Sequence, residues 1–165
     1  MILRIKIFCI LFFFANLHLF ADLIVHDIRC NPVNLSKDKS GVLVFVGGYS
    51  CKKCFQTLDS IFMKSPAFAK LEKSVLLSCR NNIIVKKETI GNYEKQFSKF
   101  NYYFDVSYDN KNDTLGLWNK YDVTITPCVL LYKNNKLKFI PYEKMFATDK
   151  NINLEKLLKK ELEKL

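Results

Sequence analysis

The run Cys51-Lys52-Lys53-Cys54 places two thiols three positions apart, just beyond the apolar segment Val42-Leu43-Val44-Phe45-Val46 and directly before a stretch with helical periodicity. Thiols at that spacing on the first turn of a helix can close a tight disulfide, and backbone N–H groups and the helix dipole stabilise the first of them as a thiolate. The thiolate is the species that attacks a disulfide, so the pair is a redox candidate. Lys52 and Lys53 add positive charge within the same turn, which lowers the pKa of Cys51 further. Read the other way, they are two solvated lysines on a basic surface. Zinc ligands share this spacing. A structural zinc site calls for a second close pair, and Cys30, Cys79, Cys128 and His26 do not form one along the chain, so neither a metal nor another cofactor is expected. A structural disulfide is the remaining alternative, although a loop this short removes little chain entropy.

The elements that must position these thiols follow from the apolar pattern. Residues 42–46 are continuously apolar and mostly β-branched, as in a strand buried on both faces, and Gly47-Gly48-Tyr49-Ser50 breaks the run. Phe55, Leu58, Ile61 and Phe62 then recur at helical spacing up to Pro66, with a continuation through Phe68 and Leu71 to the short apolar run Val75-Leu76-Leu77. Cys79 lies just past that run. Residues 85–100 suit a surface helix, 101–108 an extended segment, 109–113 a turn, and 114–121 one or two helical turns. From Val123, two apolar runs around Asn134-Asn135 read as a β-hairpin. Leu154, Leu157, Leu158, Leu162 and Leu165 mark one face of a final amphipathic helix, with Glu155 and Lys159 as an i,i+4 pair. Upstream, residues 23–28 read as a short edge strand and residues 30–40 as a loop. The order implies an α/β layer structure, with helices on both faces of a central sheet.

The chain of 165 residues fits one ordinary domain with a proper core. Residues 1–21 carry Arg4 and Lys6 and then an uncharged Phe/Leu/Ile-rich run, the pattern of a secretory signal peptide cut before Asp22; an uncleaved N-terminal anchor is the alternative. The domain is then 22–165. Export supplies an oxidising or redox-managed compartment, and the remaining cysteines (Cys30, Cys51, Cys54, Cys79 and Cys128) are odd in number, which argues against a closed disulfide framework. The net charge of +10 comes chiefly from lysines spread along the chain. Arg is nearly absent after the leader and no basic–aromatic repeat occurs, so nucleic-acid binding is not expected. A solvated basic surface is the simpler reading, and it is compatible with a membrane tether through the N-terminal segment and an anionic surface nearby.

Thr126-Pro127 before a strand supplies a second signal, because proline at a buried strand start calls for a cis bond or an edge position. An apolar strand, a CxxC opening a helix and a later Thr-Pro before a hairpin together resemble the thioredoxin-like superfamily over residues 37–139. The resemblance implies a thioredoxin-like fold in which Pro127 is cis and faces Cys51 and Cys54, with Thr126 and Pro127 forming the substrate-docking loop. The long separation between the motifs is similar to that of the exported TlpA/ResA-like branch, which inserts a helix and a strand there. Residues 105–109 and 117–121 fit that branch's order. Three departures stand out. Ser50 replaces the usual tryptophan before the first cysteine, Phe45 stands where thioredoxin has a buried aspartate, and no acidic residue follows Cys54 before Asp59. Proton transfer then falls to water.

The function implied is that of an exported thiol–disulfide oxidoreductase, in the periplasm or at an extracytoplasmic membrane face. It would exchange disulfides with protein thiol substrates and a redox partner through Cys51 and Cys54, in a direction the residues do not set. Three alternatives share the scaffold. A thiol peroxidase of the peroxiredoxin type needs Ser or Thr where Gly48 stands. A metal-binding or delivery module usually needs a later histidine, and none follows His26. A non-catalytic interaction domain would use neither thiol. Cys128 immediately follows Pro127 and is either a third redox thiol or a small buried residue; Cys79 has the same buried reading, and His26 is too distant in sequence to assign as a base.

Overall fold

The computed structural model describes residues 23–35, 39–47, 51–78, 83–94, 97–105, 116–146 and 152–165. The leader at 1–21, Gly48, Tyr49, Ser50, Cys79 and the turn cluster at 109–113 lie outside the described residues. The strands are β1 (Ile24–His26), β2 (Pro32–Asn34), β3 (Ser40–Val46), β4 (Glu72–Leu77), β5 (Asn101–Phe104), β6 (Cys128–Lys133) and β7 (Lys136–Ile140). The helices are α1 (Lys52–Lys64), α2 (Ile83–Glu94), α3 (Leu117–Lys120), α4 (Tyr142–Phe146) and α5 (Leu154–Glu163), and a 3-10 turn at Pro66–Phe68 follows α1. Among the described residues the strands form one mixed sheet in the order β2-β1-β5-β4-β3-β6-β7. β3–β4 and β4–β5 pair in parallel, while β6 runs antiparallel to β3 and β7.

β3 is central because it has no polar side to present. Its alternating side chains feed two cores. Val42, Val44 and Val46 pack with Phe55, Leu58 and Phe62 of α1 and with Phe97, Phe100 and Leu158. Leu43 and Phe45 pack on the other face with Leu117, Cys128, Leu130 and Tyr132. The turn between β6 and β7 has Asn134 and Asn135 at φ 49° and 64°, the left-handed region that asparagine tolerates and a two-residue hairpin requires.

Three expectations change. β1 is not an edge strand: it lies between β2 and β5, and the edge is β2, within the stretch read as a loop. A three-residue strand starting at Pro32 offers no period to detect, and a proline is tolerated there because an edge leaves N–H positions unused. The connecting turn is held by Asp27, whose carboxylate accepts from the Arg29 and Asn31 amides at 2.8 Å each. The hairpin begins at Cys128 rather than Val123. The described part of the surface helix is Ile83–Glu94, and Phe97 and Phe100 beyond it are buried rather than on the surface.

α5 docks through Leu154 and Leu158, with its N-terminus capped by Asn153 accepting from the Lys156 amide at 2.9 Å. Lys159 Nζ lies 4.0 Å from Glu163 rather than forming the expected pair with Glu155. Glu161, 4% exposed, ties the helix to its neighbours by accepting from Lys164 at 3.0 Å and from Lys144 of α4 at 3.1 Å, with Lys138 of β7 at 3.8 Å. The Lys164 hydrogen bond, with help from Lys144, holds the Glu161 carboxyl below its ordinary value. A carboxylate depressed in the folded state stabilises the fold above its unfolded pKa, and that contribution is lost as pH falls through the folded value. Glu161→Gln should therefore flatten part of the acid limb of a stability-versus-pH curve below about pH 4.5. The loss at neutral pH should be at most about 1 kcal/mol, because the three lysines are solvent-screened.

Candidate active site

α1 starts at the end of the four-residue break after β3, and Cys51 is its N-cap, at φ −68° and ψ 103°. The Cys51 sulfur accepts from the Cys54 amide at 3.3 Å, and the Cys51 carbonyl accepts from the Phe55 amide at 3.2 Å. Cys51 is exposed, whereas Cys54, on the buried face with Phe55 and Leu58, is 7% exposed. The two are joined as a disulfide with Cα atoms 5.2 Å apart. The first turn of α1 carries no acidic residue, so the N–H groups and the dipole at that end act on Cys51 without a competing carboxylate. Lys52 and Lys53 are both exposed, and Lys53 lines a groove with the two cysteines.

That groove, of about 240 Å³, is completed by Thr57 of α1, Met145 and Phe146 of α4, Ile152, and Leu154 of α5. One wall of the site is therefore apolar. Met145 and Phe146 were missed in the sequence because α4 is a single helical turn after Pro141, too short to show periodicity. Tyr142, at the start of α4, was missed for the same reason, and its hydroxyl lies 3.9 Å from Cys54 Sγ.

The Thr126–Pro127 peptide bond is cis, and both residues are buried. What this loop shows to solvent is Ile125, 46% exposed. The loop is tied to the approach to Cys51: the Gly47 amide, at the exit of β3, donates to Thr126 Oγ1 at 3.3 Å. The Gly47 carbonyl accepts from Tyr93 Oη of α2 at 3.2 Å. Burial pushes the Tyr93 phenol up, so it remains a protonated donor. A Cβ on Gly47 would lie 2.9 Å from Trp118 Cη2, so this position needs the absence of a side chain.

Trp118 is held by Asp105. The Asp105 carboxylate, 4% exposed, accepts from the Leu117 amide at 2.9 Å and the Trp118 amide at 2.8 Å, closing the N-terminus of α3. Asp105→Ala would strand one buried and one part-buried N–H group and release α3 from the end of β5, at a cost of about 2–3 kcal/mol. Chemical denaturation should show that loss, and Asp105→Asn, which keeps one acceptor, should recover part of it.

Cys128 opens β6 and is 2% exposed; its thiol donates to the Ile125 carbonyl at 3.0 Å. Burial pushes its pKa up to about 11, so at neutral pH it is a buried thiol and not a nucleophile. Cys30, by contrast, is exposed, in the left-handed region at φ 68°. His26, on β1, is half-buried. Neither Cys30 nor His26 is among the groove-lining residues.

A CxxC pair that begins the helix after a buried strand, with a cis-proline loop hydrogen-bonded to that strand's exit and a mixed sheet behind it, has the thioredoxin-like fold. Solved structures agree. The chain is similar to a secreted Mycobacterium tuberculosis disulfide oxidoreductase homologous to E. coli DsbE, with TM-score 0.52 and 14% identity over 90% of this chain and 99% of that one. It is also similar to M. tuberculosis DsbF, solved in mixed oxidised and reduced forms (TM-score 0.51, 11% identity, 88% and 96% covered). A third neighbour is the exposed lipoprotein thioredoxin Etrx1 of Streptococcus pneumoniae (TM-score 0.51, 18% identity, 88% and 100% covered). No protein-family model and no curated protein matches the chain. At these identities the likeness establishes the fold.

Proposed function

We propose that this protein is an exported thiol–disulfide oxidoreductase acting on protein thiols and disulfides. The observation that carries the reading is the asymmetry of the pair: an exposed Cys51 whose sulfur caps a helix N-terminus, joined to a nearly buried Cys54. The exposed member is the one a substrate can reach, and the buried one can reach only its neighbour. In the reducing direction Cys51 thiolate attacks a substrate disulfide, forming a mixed disulfide and releasing one substrate sulfur as a thiolate. Cys54 thiolate then attacks Cys51 Sγ, forming Cys51–Cys54 and releasing the second substrate sulfur. The dithiol loses two electrons and the substrate gains them. The reverse sequence donates the disulfide.

In this reading the Thr126-Pro127 loop docks the substrate segment, and the exposed Ile125 and the apolar groove wall contact side chains next to the reacting cysteine. Lys52 and Lys53 favour the Cys51 thiolate, an effect that added salt should weaken because both are exposed. The secreted and surface-exposed neighbours and the apolar leader support an extracytoplasmic location, by cleavage or by a tether. Among the described residues no helix is long and apolar enough to cross a membrane. The reading is tested by trapping: Cys54→Ser expressed with its leader should accumulate mixed disulfides between Cys51 and cell-envelope proteins, and Cys51→Ser should accumulate none. Equal yields from the two variants would refute it.

A further inference from the structure

Tyr142 stands at a junction between the two cysteine-bearing elements. It follows the hairpin that Cys128 opens and packs beside that residue's core cluster. Its ring lies against Phe146, centroids 5.3 Å apart and planes at 37°, and packs on the cluster that holds Phe45, Cys128 and Leu130. Its hydroxyl reaches Cys54 Sγ at 3.9 Å, across 88 positions of sequence. In the disulfide Cys54 carries no proton, so the phenol is the donor. The helix bearing it is anchored from the far side by the Lys144–Glu161 ion pair at 3.1 Å. Ring packing and the helix anchor thus fix where this hydroxyl points. Phe45 occupies the position at which a carboxylate would be expected, so the polar group meeting the buried sulfur comes from α4 instead of β3.

We infer that Tyr142 is the hydrogen-bond donor that serves the resolving cysteine, its hydroxyl holding the Cys54 thiolate whenever Cys54 attacks or leaves Cys51. The hydrogen bond stands independently of the proposed function; its use in turnover rests on that reading. In the mixed disulfide, Cys54 loses its proton to water. The resulting thiolate, accepting from Tyr142 O–H, attacks Cys51 Sγ; the Cys51–Cys54 bond forms, the Cys51–substrate bond breaks, and the substrate thiolate takes a proton from solvent. In reverse, an incoming thiolate attacks Cys51 Sγ and Cys54 departs as a thiolate onto the same donor. A better stabilised thiolate leaves faster and is present in larger fraction. Among the described residues, the titratable or charged groups that share the groove with Cys54 are Cys51 and Lys53 of α1; Lys52 adjoins them on the same turn, and Glu143, next to Tyr142 on α4, is exposed. Met145, Phe146, Ile152 and Leu154 are neutral.

The test reads Cys54 directly. In protein carrying Cys51→Ser and Cys30→Ser, alkylation of Cys54 by iodoacetamide is followed against pH by peptide mass spectrometry. Tyr142→Phe, which keeps the ring and its packing, should raise the midpoint by about one pH unit, the loss of one hydrogen bond to a charged acceptor. A ring-fluorinated tyrosine at position 142, a stronger donor, should lower it, and this variant decides the matter if the phenylalanine protein fails to fold. In protein with both active-site cysteines, Tyr142→Phe should slow resolution of a glutathione mixed disulfide on Cys51 about threefold, the smaller thiolate fraction outweighing its higher nucleophilicity, with the first attack at Cys51 unchanged from wild type. Identical midpoints for Tyr, Phe and fluorotyrosine overturn the inference. A shifted midpoint in a protein that exchanges with no disulfide keeps the hydrogen bond and removes the oxidoreductase reading.

Discussion

Cys51→Ser should abolish disulfide exchange, lowering the rate at least about a thousandfold, because a serine hydroxyl supplies no nucleophile to a sulfur centre at neutral pH. Cys54→Ser should behave differently. Its Cys51 still attacks, so a single turnover proceeds and stops at the mixed disulfide, and multiple turnover is lost. The difference follows from exposure. Cys51 is open to solvent at the helix start, and its sulfur already accepts the Cys54 amide. Cys54 is shielded by the α4 wall. Stopped-flow reduction of a model protein disulfide, with the products separated by mass, distinguishes the two variants. Equal activity of Cys51→Ser and wild type would remove the proposed chemistry altogether. A Cys54→Ser protein that traps nothing, while Cys51→Ser traps partners, would reverse the roles of the two cysteines.

The part of this site that follows from local pattern was legible in the chain. The apolar run of β3, the period of α1 and the thiols between them together specify a strand, a break and a helix whose first turn carries Cys51 and Cys54. The two apolar faces of β3 explain why both sides of it must be covered. What the chain order hides is contact across distance. Tyr142 meets Cys54 across 88 positions, and no local period announces it because α4 has five residues. The Gly47–Thr126 hydrogen bond across 79 positions and the Asp105 cap on α3 belong to the same class. The edge strand β2 was hidden for a different reason: its partner β1 is equally short, so neither strand carries enough alternation to identify the pair, and only the Asp27 turn between them offered a cue. Cys128, directly after Pro127, reads either as a third redox thiol or, in preference, as a small buried residue, and its burial agrees with the second.

Phe45→Asp should cost at least about 4 kcal/mol, enough to unfold a domain of ordinary stability. The position is where a thioredoxin-like chain would carry a buried carboxylate, so the substitution looks like a repair, and the packing says otherwise. Phe45 is 0% exposed and meets Trp118, Tyr121 and Phe139 edge-on, with centroids at 5.9, 6.3 and 5.7 Å. Tyr121 and Phe139 are themselves stacked at 4.7 Å, so the four rings form one block between the sheet and α3. Aspartate there loses the ring contacts, leaves a cavity, and places a carboxyl group among aromatic faces. Desolvation would hold it protonated well above the usual carboxylate range, where it is a poor base. Phe45→Leu, which keeps most of the apolar volume, should cost about 1–1.5 kcal/mol and spare exchange activity. Urea denaturation midpoints separate these cases. A Phe45→Asp protein within about 1 kcal/mol of wild type would mean that the ring block yields easily and can admit water. As built, the block closes β3 to acid–base chemistry, and the polar atom placed at Cys54 is the Tyr142 hydroxyl from α4.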